Sequence, residues 1–210
     1  MYLTRAAIPW PAAGNPYQLH RRIWRLFPDA PDEPRRDAAG QRIGFLFRVE
    51  DQGPGRPTRV LVQSRKAPQS ADGITLIATR RLNPQPGAGQ RLAFLLTANP
   101  IKNIQDQQLT QKPGKRRDTC RVPLIREEEQ RDWLTRKLAG AAIIETASLS
   151  PHPPTFFRRG NRAGKLVTIT FEGTLQVRDP EILVNRLANG IGPAKAFGCG
   201  LLLVRRLDAV

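Results

Sequence analysis

The sequence predicts an α+β fold. In the second half of the chain, short apolar strands alternate with two helical segments in the order β-α-β-β-α-β. The first half repeats this order, except that no convincing second helix is visible there. A Pro- and Gly-rich stretch at 83–90 separates the halves. Because βαββαβ is the order of the ferredoxin-like unit, we expect two such domains in tandem, with RRM-like architecture, at 1–86 and 87–210.

The first half contains one predicted helix. Asn15 is a good N-cap residue and Pro16 suits a first turn, so we expect a helix over 17–27, ending before Pro28. Strand patterns flank this helix and continue beyond a polar loop at 29–42, and the predicted strands are 1–8, 44–50, 59–63 and 74–82.

The second half contains two predicted helices. One covers 127–138, with acidic residues in its first turn and basic residues in its last. The other runs to residue 188 after the capping pair Asp179-Pro180. A polar, basic stretch at 103–117 is predicted as a loop, and the strands are 91–98, 142–147, a long strand at 165–177 bent at Gly173, and 201–205.

The net charge is far above that of an ordinary soluble domain. Lys and Arg number 34 against 18 Asp and Glu, which gives +16 at pH 7, whereas a magnitude of about 2–8 is usual. The 40% of hydrophobic residues excludes a disordered basic tail, and no apolar run approaches the length of a membrane span. The charge therefore lies on a folded surface, for which nucleic acid is the leading partner and an anionic membrane surface the alternative.

Several classes of enzyme are disfavoured by what the sequence lacks. It has no P-loop, Rossmann fingerprint, G-x-S-x-G or H-E-x-x-H motif. Its two cysteines lack metal-site spacing and it has only two histidines, so we expect neither a metal site nor a small-molecule cofactor. The cysteine usage and the absence of a secretory signal suggest a reducing cytoplasm.

His20 is the strongest candidate for proton transfer. On the predicted first helix it lies beside the apolar stripe, at the border of core and solvent, with Tyr17 and Trp24 on the same flank. A partly desolvated, reachable histidine suits general acid–base chemistry near neutral pH. The alternative is a boundary histidine that only bonds to nearby backbone. His152, in a Pro-rich loop, fits a solvated residue better.

A glycine pattern near the C-terminus follows the last predicted helix. It reads G-h-G-x5-G-h-G and has Lys195 at its middle. Glycines allow backbone N–H groups to approach an anion closely, so the pattern indicates phosphate binding, and a tight helix-to-strand connection is the alternative. The predicted binding residues are Gly190, Gly192, Lys195, Gly198 and Gly200.

Two basic stretches fit contacts with phosphates. The first, at 156–165, predicts a basic hairpin tip between strands, with Arg158, Arg159 and Arg162 as binding residues and Lys165 at its end. The second, at 112–117, includes Lys115 and Arg116. Either could instead be a solvated loop.

Blocks of sequence from end to end of the chain carry a resemblance to a known family. They are 17–20 with Trp24 and 26–28, 98–102, 120–125, 171–173, 190–195 and 198–202. On these blocks the chain resembles the RAMP proteins of CRISPR systems, and among them closely the CasE endoribonuclease family, the repeat-processing subunit of type I-E Cascade. The insert at 29–42 and the long turn at 52–57 depart from the family without touching the blocks.

The resemblance implies a function and a mechanism. The family cleaves CRISPR repeat RNA without a metal ion, at the 3′ base of a stem-loop, and the RNA's own 2′-OH attacks to leave a 2′,3′-cyclic phosphate and a 5′-OH. Its catalytic histidine matches His20 and its tyrosine Tyr17, so we expect His20 to move a proton, Tyr17 to orient the reacting groups and Lys165 to steady the phosphorane. Lys102 and Lys195 are expected near the cut. The expected partners are the RNA stem-loop and other Cascade subunits, with no membrane contact.

Two interpretations of function remain open on the sequence. One is the ribonuclease, and the other is a non-catalytic, RAMP-like subunit that holds guide RNA. His20 beside Tyr17 favours the ribonuclease, because a scaffold needs neither residue. A membrane-surface protein ranks below both, since it would need an amphipathic basic helix with an exposed apolar face.

The charge generates a prediction that does not depend on mechanism. Affinity for RNA should fall steeply as NaCl is raised, because phosphate neutralisation releases counterions whose entropic advantage shrinks with salt. Filter binding across a salt series measures this. An affinity that stays flat would contradict a phosphate-based interface.

Overall fold

The architecture is taken from a computed structural model of the full chain, which describes residues 1–13, 15–28, 44–105, 119–159 and 162–207. The insert at 29–42 and the basic stretch at 112–117, with Lys115 and Arg116, lie outside the described residues. None of the described helices is both long enough and apolar enough to cross a membrane.

The first half forms a four-stranded antiparallel sheet with one helical layer. Its sheet order is β2-β3-β1-β4, which is the strand order of a ferredoxin-like unit. Residues 65–74, between β3 and β4, contain no helix, as the sequence suggested. The elements are β1 (Tyr2–Ile8), α1 (Trp10–Ala13), α2 (Pro16–Trp24), β2 (Phe45–Gly53), β3 (Arg56–Ser64) and β4 (Thr75–Arg81).

The second half has the same plan with two added hairpins. Its main sheet has the order β12-β5-β11-β8, while β6 pairs with β7 and β9 with β10. The tandem ferredoxin-like fold is therefore confirmed. The elements are β5 (Arg91–Ala98), β6 (Ile101–Gln105), β7 (Thr119–Pro123), α3 (Glu127–Leu138), β8 (Ala142–Pro151), β9 (Thr155–Arg159), β10 (Arg162–Leu166), β11 (Ile169–Val177), α4 (Pro180–Asn189), a 3₁₀ turn (Lys195–Phe197) and β12 (Leu202–Arg206).

Three predicted elements needed correction. The helix expected over 17–27 ends at Trp24, since residues 25 and 26 form a turn. The single long strand at 165–177 is wrong: Leu166 pairs with Thr155 in the β9–β10 hairpin, whereas Ile169 pairs with Ala98 in the main sheet. Pairing with different partners divides the run into two strands. The predicted loop at 103–117 is also wrong at its start, because Asn103–Gln105 belongs to β6.

Each half has its own core on the helix-covered face of its sheet. In the first half, Leu19 and Ile23 of α2 pack against the sheet through Phe47 and Val62. In the second half, Trp133 of α3 stacks on Phe171 of β11, with ring centroids 6.1 Å apart. These buried apolar faces fix α2 and α3 to their sheets.

A third cluster joins the halves. Leu3, Leu46 and Leu61, on the opposite face of the first sheet, pack against Leu201 beside β12. Gln63 Nε2 donates a buried hydrogen bond of 2.7 Å to the carbonyl oxygen of Leu187. At the edge of this seam, the 3₁₀ turn of the C-terminal glycine pattern contacts α2. The boundary between 86 and 87, which falls between β4 and β5, stays a prediction.

Gly173 offers a sharp test of the second sheet. A Cβ at this position would lie 2.0 Å from the carbonyl oxygen of Thr146 on β8. Gly173→Ala should therefore lower the free energy of unfolding by about 1–3 kcal/mol, because the strands must separate locally. Urea denaturation measures the loss. Gly87→Ala is the matched control, since nothing lies within 4 Å of the place that a Cβ would take there, and equal stability of the two variants would contradict the close approach.

Candidate functional site

Helix α2 places two of the predicted catalytic residues on one side. Asn15 Oδ1 accepts a hydrogen bond of 2.9 Å from the Tyr17 backbone N–H, and Pro16 occupies the first turn. Leu19 and Ile23 face the core. Tyr17 and His20, one turn apart, are consequently held half-buried at the edge of the helix.

The imidazole of His20 sits among aromatic rings. Its centroid lies 5.2 Å from that of Phe45 and 6.2 Å from those of Trp24 and Phe47. Phe45 is itself braced by Phe27, at 5.6 Å. The rings fix the orientation of the imidazole and remove part of its hydration, while its exposed edge faces a cavity.

This cavity of about 650 Å³ lies between the two halves. One wall is α2, with Tyr17, His20 and Trp24, and the other is the segment 193–197, which includes the 3₁₀ turn. The end of β3 closes one side through Gln63, Ser64 and Arg65. We call it the His20 cavity.

The charges that the described residues place around the His20 cavity are all of one sign. Arg21, Arg65, Arg121 and Lys195 line it, and no Asp or Glu among those residues does so. Arg65 Nη2 donates to Asn189 Oδ1 at 3.2 Å. A concave site lined by four cations, with no carboxylate among its described lining residues, is suited to bind a polyanion.

The glycine segment, residues 190–200, has glycines at positions where it packs closely against other parts of the fold. Gly190, Gly192, Gly198 and Gly200 have φ between 71° and 88°, where side chains are strained. A Cβ on Gly192 would meet the Trp133 ring at 2.8 Å, and one on Gly190 would meet Leu46 at 2.8 Å. The glycines thus let the segment fit between α3 and the first sheet.

Three of the four glycines predicted to bind phosphate through their amides have those amides hydrogen-bonded within the protein. The N–H groups of Gly190, Gly198 and Gly200 donate to the carbonyls of Arg186, Lys195 and Thr97. A donor already satisfied by protein is not offered to a ligand. The segment shapes the cavity wall instead and presents Lys195, whose Nζ donates to the carbonyl oxygen of Asn189 at 2.6 Å.

The β9–β10 hairpin rests on the same wall. The Phe157 ring lies 4.6 Å from that of Phe197 in the 3₁₀ turn. Gly164, opposite Phe157, leaves the room for that ring, since a Cβ there would lie 2.3 Å from it. Phe156 points to solvent and is 73% exposed.

Lys165 does not line the His20 cavity. It is exposed on β10, and its Nζ lies 6.0 Å from the centroid of the Phe156 ring. The backbones of Arg158, Arg159 and Arg162 belong to the hairpin, but their side chains lie outside the described residues.

Lys102 is already engaged by a carboxylate. Its Nζ donates to Glu129 Oε1 of α3 at 2.8 Å, and this hydrogen bond lowers the pKa of Glu129. Lys102 lies on β6 one register position from Arg121 on β7. A ligand at Lys102 must therefore compete with Glu129.

Sequence reasoning missed Arg65 and Arg121 as site residues. Arg65 directly follows β3 and approaches His20 within the first half, whereas Arg121, in β7, approaches it only through the contact between the halves. The one available signal was the placement of Arg121 within a block shared with the resembled family.

Cys199, within the glycine segment, is buried, and burial raises its thiol pKa to about 12, which makes it a poor nucleophile.

A larger cleft lies elsewhere. It has a volume of about 740 Å³ between the two sheets and carries charges of both signs, including Arg5 and Glu50. These two form a two-point ion pair, with N···O distances of 2.7 and 3.0 Å.

Of the described residues, no group of three His, Cys, Asp or Glu comes together as a metal site.

Comparisons with known proteins agree on one group. A family model described as "CRISPR associated protein" matches residues 1–206. The Cascade subunit CasE of Escherichia coli K12 is 41% identical over 204 residues, covering 96% of this chain and 98% of that protein. The crystal structure of Cas6e from the same organism superposes with a TM-score of 0.83 at 38% identity, covering 99% and 100% of the two chains.

A further solved structure contains RNA. It is the CRISPR endoribonuclease Cse3 bound to a 19-nucleotide RNA, which superposes with a TM-score of 0.72 at 30% identity and covers 98% of this chain and 100% of that one.

Proposed function

The chain belongs to the CasE/Cse3 family of CRISPR-associated proteins, and on that premise we propose that it is the endoribonuclease that processes CRISPR repeat RNA. The observation that carries the proposal is the His20 cavity, where a histidine and a tyrosine meet four cations and no described carboxylate. Such a site attracts a phosphodiester and places a proton-transfer group beside it.

The proposed reaction is an attack within the RNA. The 2′-oxygen bonds to the adjacent phosphorus, the P–O5′ bond breaks, and the proton of the 2′-hydroxyl passes to solvent water. His20 delivers a proton to the departing 5′-oxygen, and the products are a 2′,3′-cyclic phosphate and a 5′-OH. Tyr17, one helical turn away and lining the same cavity, orients the reacting groups.

Charge on the phosphorane needs stabilising donors. Arg65, Arg121 and Lys195 line the cavity from three different elements, so they surround a phosphate rather than flank it on one side. Lys165 acts in this proposal only when the β9–β10 hairpin carries it to the phosphate, because it lies outside the cavity lining.

The hairpin is proposed to hold the RNA stem. Its basic residues Arg158, Arg159 and Arg162 lie in β9 and β10, and A-form RNA is recognised through its backbone and shape. The relatives' place in Cascade supports a further proposal, that this chain retains its product and assembles with other Cascade subunits.

Replacing His20 tests the mechanism directly. With a labelled repeat RNA in excess EDTA, His20→Ala should slow cleavage by about 10²–10⁴-fold, because general acid catalysis is lost. Binding of the RNA should be retained, and the 3′ end of the unmodified protein's product should be a cyclic phosphate.

The other histidine supplies the control. His152 is exposed and its Nε2 bonds to Thr170 Oγ1 at 2.8 Å, so His152→Ala should cut at the normal rate. Normal cutting by His20→Ala, or a requirement for a divalent ion, would contradict the mechanism. Binding without any cutting by the unmodified protein would favour a non-catalytic guide-RNA subunit.

The two arginines revealed by the structure generate a second prediction. Arg65→Gln and Arg121→Gln should each reduce kcat/KM by about 10-fold or more, because each removes a charged donor from the phosphate site. Single-turnover cleavage separates the chemical step from binding. Arg136→Gln, on the exposed end of α3, is the matched control, and equal effects of all three changes would show that only net charge matters.

A further inference from the structure

A second basic surface begins at the edge of the His20 cavity. Helix α2 turns Gln18, Arg21, Arg22 and Arg25 outward, and these four residues line a shallow groove of about 480 Å³. Arg21 also lines the His20 cavity. The groove is therefore continuous with the cavity through one side chain. We call it the α2 groove.

No described carboxylate neutralises the α2 groove. Arg21, Arg22 and Arg25 form no ion pair with any described residue. Arg22 Nη1 reaches over the turn before β4, 3.7 Å from where a Cβ of Gly73 would lie, yet the neighbouring Asp72 does not pair with it. Burying Leu19 and Ile23 requires only that the opposite face be polar, so packing does not explain three arginines there.

The geometry gives this surface a direction relative to the cut. The β9–β10 hairpin, which we propose holds the stem, rests on the glycine-segment wall through Phe157 and Phe197. The α2 groove continues from the other wall. The groove therefore offers a strand that leaves the stem and crosses His20 a basic surface to follow along α2.

We propose that the α2 groove binds the single-stranded RNA on the 3′ side of the cleaved phosphate. This rests on the proposed function together with the cut at the 3′ base of the stem-loop that the family resemblance implies, which puts the stem 5′ of the cut. Arg21 and Arg25 are one helical turn apart, about 6 Å along the axis, close to the separation of neighbouring phosphates. None of the described residues that line the groove is aromatic, so binding is through phosphates and independent of base sequence.

The test compares two RNAs. One is the repeat stem-loop ending two nucleotides past the cut, and the other carries ten more unpaired nucleotides. Binding is measured in a His20→Ala background, so that no RNA is consumed. The longer RNA should bind about tenfold more tightly at low salt, as expected for a few charged phosphate contacts.

The variant changes only the part of the groove outside the cavity. Arg22→Gln with Arg25→Gln should erase the advantage of the longer RNA and make its log affinity fall less steeply with log salt by about 1.4, because two single-strand phosphates are no longer neutralised. Arg22→Lys with Arg25→Lys should keep most of the advantage. Arg136→Gln with Lys137→Gln, which removes the same charge from α3, should keep all of it.

Two results would overturn the proposal. They are equal binding of both RNAs by the protein with an intact groove, and survival of the advantage in the Arg22→Gln, Arg25→Gln variant. A failure of the proposed function would look different from a failure of the groove proposal. In that case the unmodified protein, which keeps His20, would cut neither RNA.

Discussion

The seating of the glycine segment between the two halves is the constraint on which the site depends. The segment passes so close to Leu46, Trp133 and its own backbone that side chains at Gly190, Gly192 and Gly200 have no room. Its amides bond to carbonyls of both α4 and β5. This anchoring leaves Lys195 and Phe197 opposite α2, so the width of the His20 cavity is set by main-chain contacts rather than by flexible side chains.

Electrostatics gives that cavity its character. The cations come from α2, the end of β3, β7 and the 3₁₀ turn. Because they are spread along the chain, no single stretch of sequence stands out as the basic part of this site. Lys102, which is not part of the cavity lining, is paired with the carboxylate of Glu129. Acidic residues are thus present in the fold but excluded from the described cavity lining. The effect of the net charge of +16 at this site depends on where the cations lie more than on how many there are.

The parts of the fold that sequence predicts best are those decided locally. Helix α3 begins and ends where the charge pattern indicated, and Asn15 caps α2 as expected. The division between β10 and β11 was missed because 165–177 is equally strand-like throughout, and only the choice of partner strand separates them. The glycine spacing showed that a constraint existed, but the neighbours that impose it are distant in sequence. Arg65 and Arg121 were missed for the same reason.

The contact of Phe157 with Phe197 has a thermodynamic consequence. Because the hairpin and the cavity wall share this contact, a ligand that favoured this arrangement through one of them would favour it through the other. Linkage is reciprocal, so any strengthening of cavity binding by the proposed contact between hairpin and RNA would be matched by an equal strengthening of that contact. Gly164 makes the contact possible by leaving space for the Phe157 ring. Under the proposed function, RNA binding at the hairpin and at the cavity would then be parts of a single equilibrium.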